Sequence, residues 1–208
     1  MSAREQNPNI QGEDYAKKLA EQEHGLIGEE QGLTRYLTMA IAIAWSLFQL
    51  SIASWLIVDT VYIRAIHLAF AISLIFLNIP MFKSTPSTRP DLRWLMAMHR
   101  VTILDYVFAI LAAMSAMYIV IDYDGIAMRY GNPVMRDLIF GIMLVLFLLE
   151  ATRRIIGPAL PVIAMMFTAY AFLGPYMPDV LAFKGASLNR YIGQMTMSSE
   201  GIYGIPLD

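Results

Sequence analysis

The sequence predicts an all-α integral membrane protein of about five transmembrane helices, from its composition and from the lengths of its apolar runs. Its 208 residues are 57% hydrophobic and 15% charged, whereas soluble domains average about 45–50% apolar and about 25% charged. The apolar residues gather into runs close to the roughly 20 residues that a helix needs to cross a bilayer. Five such spans with short loops fill the chain and leave no room for a second globular domain of ordinary size. The absence of cysteine excludes a disulfide framework and thiolate metal sites.

Residues 1–35 differ from everything after them. Glu5, Glu13, Asp14, Glu21, Glu23, Glu29 and Glu30 stand among Arg4, Lys17, Lys18 and Arg35 without a sustained apolar run, which predicts a solvated polar tail rather than a docking segment. No basic start followed by an early apolar stretch is present, so the first membrane helix is expected to act as an uncleaved signal anchor.

The first run, Tyr36 to Val58, and the second, Val61 to Phe82, are separated only by Asp59 and Thr60, which predicts a helical hairpin. The third runs from Val101 to Ile121. Its Ala109, Ala112, Ala113 and Ala116 provide the small-residue spacings that let helices approach closely in lipid. Leu138 to Leu149 is a shorter run ended by Glu150, Arg153 and Arg154. Ile155 to Leu173 follows, with Gly157, Pro158 and Pro161 near its start. These last two runs are either two spans or one broken helix.

Charge placement favours two spans. The segment 83–100 carries Lys83, Arg89, Arg93 and Arg100 against Asp91 alone, and basic loops stay in the cytoplasm. The tail is then cytoplasmic, residues 122–136 are external, and Arg153 and Arg154 return inside. This arrangement puts 10 of the 15 lysines and arginines in the cytoplasm, namely residues 4, 17, 18, 35, 83, 89, 93, 100, 153 and 154. A single broken helix would leave Glu150 and both arginines near the bilayer centre, at several kcal/mol each. The segment 174–208 is therefore expected outside.

The candidate structural or gating charges are Arg64, His67, Asp105, Glu150, Arg153 and Arg154. Arg64 lies near the outer end of the second span and Asp105 near the inner end of the third, roughly 20–25 Å apart in depth at 1.5 Å per residue. A direct pair is thereby excluded. Asp105 is expected to meet Arg100, Arg153 or Arg154 in an inner cluster with Glu150. Arg64 is expected to meet Asp59, Asp122, Asp124 or Asp137. Structural pairing and snorkelling outweigh a coupling role for these groups.

No catalytic constellation emerges. His24, His67 and His99 are far apart, and HExxH, GxSxG and phosphate-loop patterns are missing, so neither an enzyme, a resident cofactor nor a metal site is expected. No nucleic-acid partner is expected either. Trp94, Leu95 and Met98 suggest an interfacial helix on the inner leaflet or an early start to the third span. The scattered methionines read as packing or lipid-facing residues.

Several strings carry a specific resemblance. They are Trp45-Ser46-Leu47-Phe48-Gln49, Arg64-Ala65-Ile66-His67-Leu68-Ala69-Phe70, Leu104-Asp105-Tyr106 with Ala116-Met117-Tyr118-Ile119-Val120, and Asp137 leading into Leu149-Glu150-Ala151-Thr152-Arg153-Arg154-Ile155-Ile156-Gly157. Ala169-Tyr170-Ala171-Phe172-Leu173-Gly174-Pro175-Tyr176-Met177-Pro178 and Glu200-Gly201-Ile202-Tyr203-Gly204-Ile205-Pro206-Leu207 follow. From about Ala44 onward the chain resembles the N-terminal part of fused permeases of TRAP transporters, the tripartite ATP-independent periplasmic systems, in the branch with TAXI-type binding proteins. The strings from Leu149 and from Glu200 are the most specific.

The resemblance implies a four-helix small-subunit-like unit over 36–154, followed by a fifth helix and the beginning of the large unit over 155–208. It implies ion-coupled solute uptake across a bacterial inner membrane. The partners it implies are a large permease unit, encoded separately or as a continuation, and a periplasmic substrate-binding protein. A coupling ion, sodium or proton, would bind outside these residues. The rival expectation is a stand-alone membrane assembly or stabilising protein with no transport role.

Overall fold

The computed structural model describes residues 33–81, 103–178, 180, 182–198 and 200–204. Most of the polar tail, the basic segment 83–100 with Trp94, Leu95 and Met98, and the Arg100 offered as a partner for Asp105 lie outside the described residues. Among the described residues all regular structure is helical: α1 (Leu33–Ser54), α2 (Thr60–Asn78), α3 (Ile103–Ile121), α4 (Tyr123–Met128), α5 (Met135–Ile155), α6 (Ala159–Leu173) and α7 (Leu188–Thr196), with a 3-10 turn over Gly174–Tyr176. The protein is an all-α membrane protein of about five long helices. Four stretches, Thr34–Ser54, Thr60–Asn78, Ile103–Ile121 and Ala159–Tyr176, are long and apolar enough to cross a bilayer. The fifth long helix, α5, has 21 residues, about 31 Å at 1.5 Å per residue, with its charges confined to its two ends.

Helix boundaries shift from the apolar runs for local reasons. Helix α1 stops at Ser54, ahead of Val58, because the Ser51 carbonyl accepts both the Trp55 and Leu56 amides and closes the turn. Asp59 then caps α2, its carboxylate accepting from the Val61 amide at 2.9 Å, which satisfies one of the amides left open at a helix start. Helix α2 ends at Asn78, short of Phe82, because Ile79 precedes Pro80 and takes an extended conformation, as the proline ring demands of the residue before it. Helix α5 outruns its apolar stretch at both ends. Its terminal charges are paired, so they prolong the helix instead of ending it.

The core lies between α2 and α3, the most extensive helix pair, with α5 packed across both and α1 laid on α2. Ala109, Ala112 and Ala116 are buried against Ala65, Leu68, Ala69 and Ile72. Lipid gives helices no hydrophobic drive to associate, so such close backbone approach supplies the van der Waals contact that holds them. Phe76, Phe108 and Phe147, one from each of α2, α3 and α5, form a three-ring cluster with centroids 5.6 to 6.0 Å apart.

Helices α5 and α6 are two elements, joined through Gly157, whose φ of 100° is accessible to glycine without steric cost, and Pro158. Helix α6 runs back along α5. Its Thr168 hydroxyl bonds the Tyr191 hydroxyl at 2.9 Å and its Phe172 ring meets Tyr191 at 5.2 Å, while α7 sits on the beginning of α5, at Gly141. A Cβ at Gly141 would stand 2.4 Å from Ile192 Cγ2, so only glycine admits α7 there. The segment after α6 thus returns to the end of the bundle that holds residues 122–134, and a single continuous broken span is excluded.

Candidate functional site

Two ion clusters mark the two ends of the bundle. At the end where α5 finishes, Arg154 points into the protein with 1% of its side chain exposed, facing an Asp105 that is fully buried. Its Nη1 donates to Asp105 Oδ1 at 2.7 Å and to the Ile79 carbonyl at 2.8 Å, and its Nε donates to Glu150 at 2.9 Å. The guanidinium lies 4.5 Å from the centroid of Phe76, one ring of the three-phenylalanine cluster, so the ring face adds a cation–π contact. Among the described residues Arg154 Nη2 has no hydrogen-bond partner. Arg153 turns outward, 42% exposed, and forks onto Glu150 at 2.7 and 2.8 Å.

The cluster joins α2, α3 and α5 through one side chain. Of the partners expected for Asp105, the structure brings up Arg154; Arg153 reaches the cluster only through Glu150. Among the described residues two carboxylates face two guanidiniums, and their charges balance. A guanidinium keeps its proton in proteins, so Arg154 is a fixed positive charge that ties three helices together.

At the opposite end, Asp137 in the first turn of α5 is buried and accepts from the Val134 amide at 3.0 Å, from the Tyr118 hydroxyl of α3, and from Arg129 Nη2 at 3.2 Å. Arg129 also donates to Asp122 at 2.7 Å, and Arg136 meets the same Asp122 oxygen at 2.7 Å. Hydrogen bonds from Arg129 to Asp122 and then Asp137 raise the pKa of its guanidinium above the ordinary arginine value. Residues 122–134, within the segment expected outside, are thus a short helix and a turn clamped by arginine. Asp122 and Asp137 are expected from the sequence as partners for Arg64, and no pairing is expected there for Arg129 or Tyr118. The available signal was an arginine between two aspartates in the turn that Pro133 closes.

Arg64 donates to the backbone carbonyl of Tyr203 at 3.2 Å, a partner not foreseen among the four expected carboxylates. Tyr203 is 1% exposed and its hydroxyl donates to the Ala116 carbonyl at 2.9 Å. The segment after α6 therefore plugs the core of the bundle. Burial pushes the Tyr203 hydroxyl pKa up. His67 lies between α1 and α2, edge-on to Trp45 at 5.9 Å and to Phe48 at 5.7 Å, an aromatic packing position. Arg64 and Asp105 sit at opposite ends of the bundle. No family model, characterised protein or solved structure matches the chain.

Proposed function

We propose that this chain is a membrane permease component of a tripartite ATP-independent periplasmic secondary transporter. It braces a large transport unit in the bacterial inner membrane and offers its outer surface to a solute-loaded binding protein. The supporting observation is that the two most specific strings of the resemblance are both packing devices. The string from Leu149 holds the Arg154 cluster and the Gly157 break, and the string from Glu200 holds the Tyr203 plug. Pinned at both ends, the bundle suits a static brace. Helices α1 and α6 meanwhile present Leu47, Leu50, Ile163, Met166 and Phe167 outward, apolar surface suited to lipid and to a second membrane unit. In this reading the solute and its coupling ion, sodium or proton, bind the large unit.

The test is to read the DNA around this chain's gene for a polytopic membrane protein and a secreted binding protein, and to reconstitute the chain with the pair so found. Vesicles should take up solute with an ion gradient and without ATP, and omission of this chain should abolish uptake. Unchanged uptake, with the chain purifying alone as a monodisperse oligomer, would favour the stand-alone assembly protein instead.

The same reading puts the tail, residues 83–100 and residues 150–154 in the cytoplasm, with 122–136 and 174–208 in the periplasm. Reporter fusions at residues 130 and 200 should both give periplasmic signals and one at 90 a cytoplasmic signal. A cytoplasmic signal at 200 would refute the orientation.

A further inference from the structure

At the Asp137 end, a cleft of about 450 Å³ opens between α4, the start of α2 and the segment after α7. Ile119, Ile126 and Met197 line its apolar part, and Tyr123, Tyr130 and Glu200 supply its polar groups. This volume falls within the roughly 300–1,000 Å³ of small-molecule sites. Among the described residues, the Glu200 carboxylate meets only the Gln194 amide, at a long 3.4 Å, and no cation. Gln194 in turn lies 3.5 Å from the Tyr130 hydroxyl, so one loosely held amide links the two polar walls.

The local field is negative. Asp59 pushes the Tyr123 hydroxyl pKa up, and Asp124 lies beside it in α4. The nearby guanidiniums of Arg129 and Arg136 are engaged by Asp122 and Asp137, and Arg64 donates to the Tyr203 carbonyl. A cleft that holds one carboxylate and two tyrosines on its walls above an apolar floor disfavours anions. It favours an organic ammonium, which gains from ring faces as well as from the charge.

We propose that this cleft binds an organic ammonium with a small apolar body, its charge held by Glu200 between Tyr123 and Tyr130 and its carbon skeleton on Ile119, Ile126 and Met197. The site is independent of the transport reading. Its ligand is either a soluble ammonium compound or the ethanolamine headgroup of a membrane lipid, which share this chemistry.

The probe is choline chloride, titrated calorimetrically into the purified full-length chain in detergent, with sodium chloride as the control. Choline should bind saturably and sodium should not. Glu200→Gln should weaken choline binding by about tenfold or more, as expected for loss of a charged partner, and Tyr130→Ala by several-fold. Both side chains are exposed, so each variant should melt at the parental temperature without ligand. Native mass spectrometry of protein extracted from membranes then separates the sources. Retained phosphatidylethanolamine that choline displaces identifies the headgroup, and choline binding with no retained lipid identifies a soluble ligand. Absence of choline binding, or equal binding by Glu200→Gln, overturns the proposal.

Discussion

Arg154→Ala should lower the stability of the solubilised protein by about 3–5 kcal/mol, because it removes the guanidinium that faces the fully buried Asp105 carboxylate. Equilibrium unfolding in mixed micelles measures this. Asp105→Asn should cost less, since Arg154 keeps Glu150 and the Ile79 carbonyl. Their double mutant should lose less than the sum by about 0.5–3 kcal/mol, the range for residues in direct contact. Strict additivity would show that the two do not interact. Pairing Asp105 with Arg153, the other arginine expected in this cluster, should give near-additive losses, because Arg153 is half out of the protein and, among the described residues, is bound to Glu150 alone. Arg154→Lys should not rescue the loss, since an ammonium cannot reproduce a planar fork that reaches two helices and stacks on Phe76.

Tyr203→Ala should cost about 3–5 kcal/mol, the range for deleting a buried aromatic ring. Tyr203→Phe should cost only about 1 kcal/mol, the net worth of one hydrogen bond, because the ring would still fill the space beside Ala116. The two losses can be told from general unfolding by limited trypsin digestion. Lys184 and Arg190 are the only basic residues after Arg154. In Tyr203→Ala, cleavage there should accelerate well before the helices open; unchanged cleavage would show that Tyr203 does not hold the segment.

The long helices were legible because lipid imposes a length and a composition that a run of apolar letters displays directly. The Arg154 cluster was legible too: counting depth along α2 and α3 separates Arg64 from Asp105 and brings Asp105 level with the end of α5. What the letters could not give was which arginine turns inward. Arg153 and Arg154 are adjacent and chemically identical, and only the packing of α5 against α2 and α3 selects Arg154. The reach of α5 was underestimated for a related reason, because a charge at the edge of an apolar run looks like a terminus until its partner is known. Tyr203 was invisible as core. It lies among glycines in a segment without helical periodicity, and its burial depends on a chain reversal completed dozens of residues earlier at Gly157.

The uneven apolarity of the long helices bears on biogenesis. A helix leaving the translocon partitions by its own transfer free energy, and near-central charges oppose entry by about 2.5–3.5 kcal/mol each. Helices α1, α2, α3 and α6 can enter lipid on their own terms, whereas α5 carries Arg136 and Asp137 at one margin and Glu150, Arg153 and Arg154 at the other. Those charges lie at its margins, where they cost less than at the centre, and the contact of Arg154 with Asp105 offsets part of what remains. The placement of the end of α5 thus depends on α3, an element made before it, through the contact of Arg154 with Asp105.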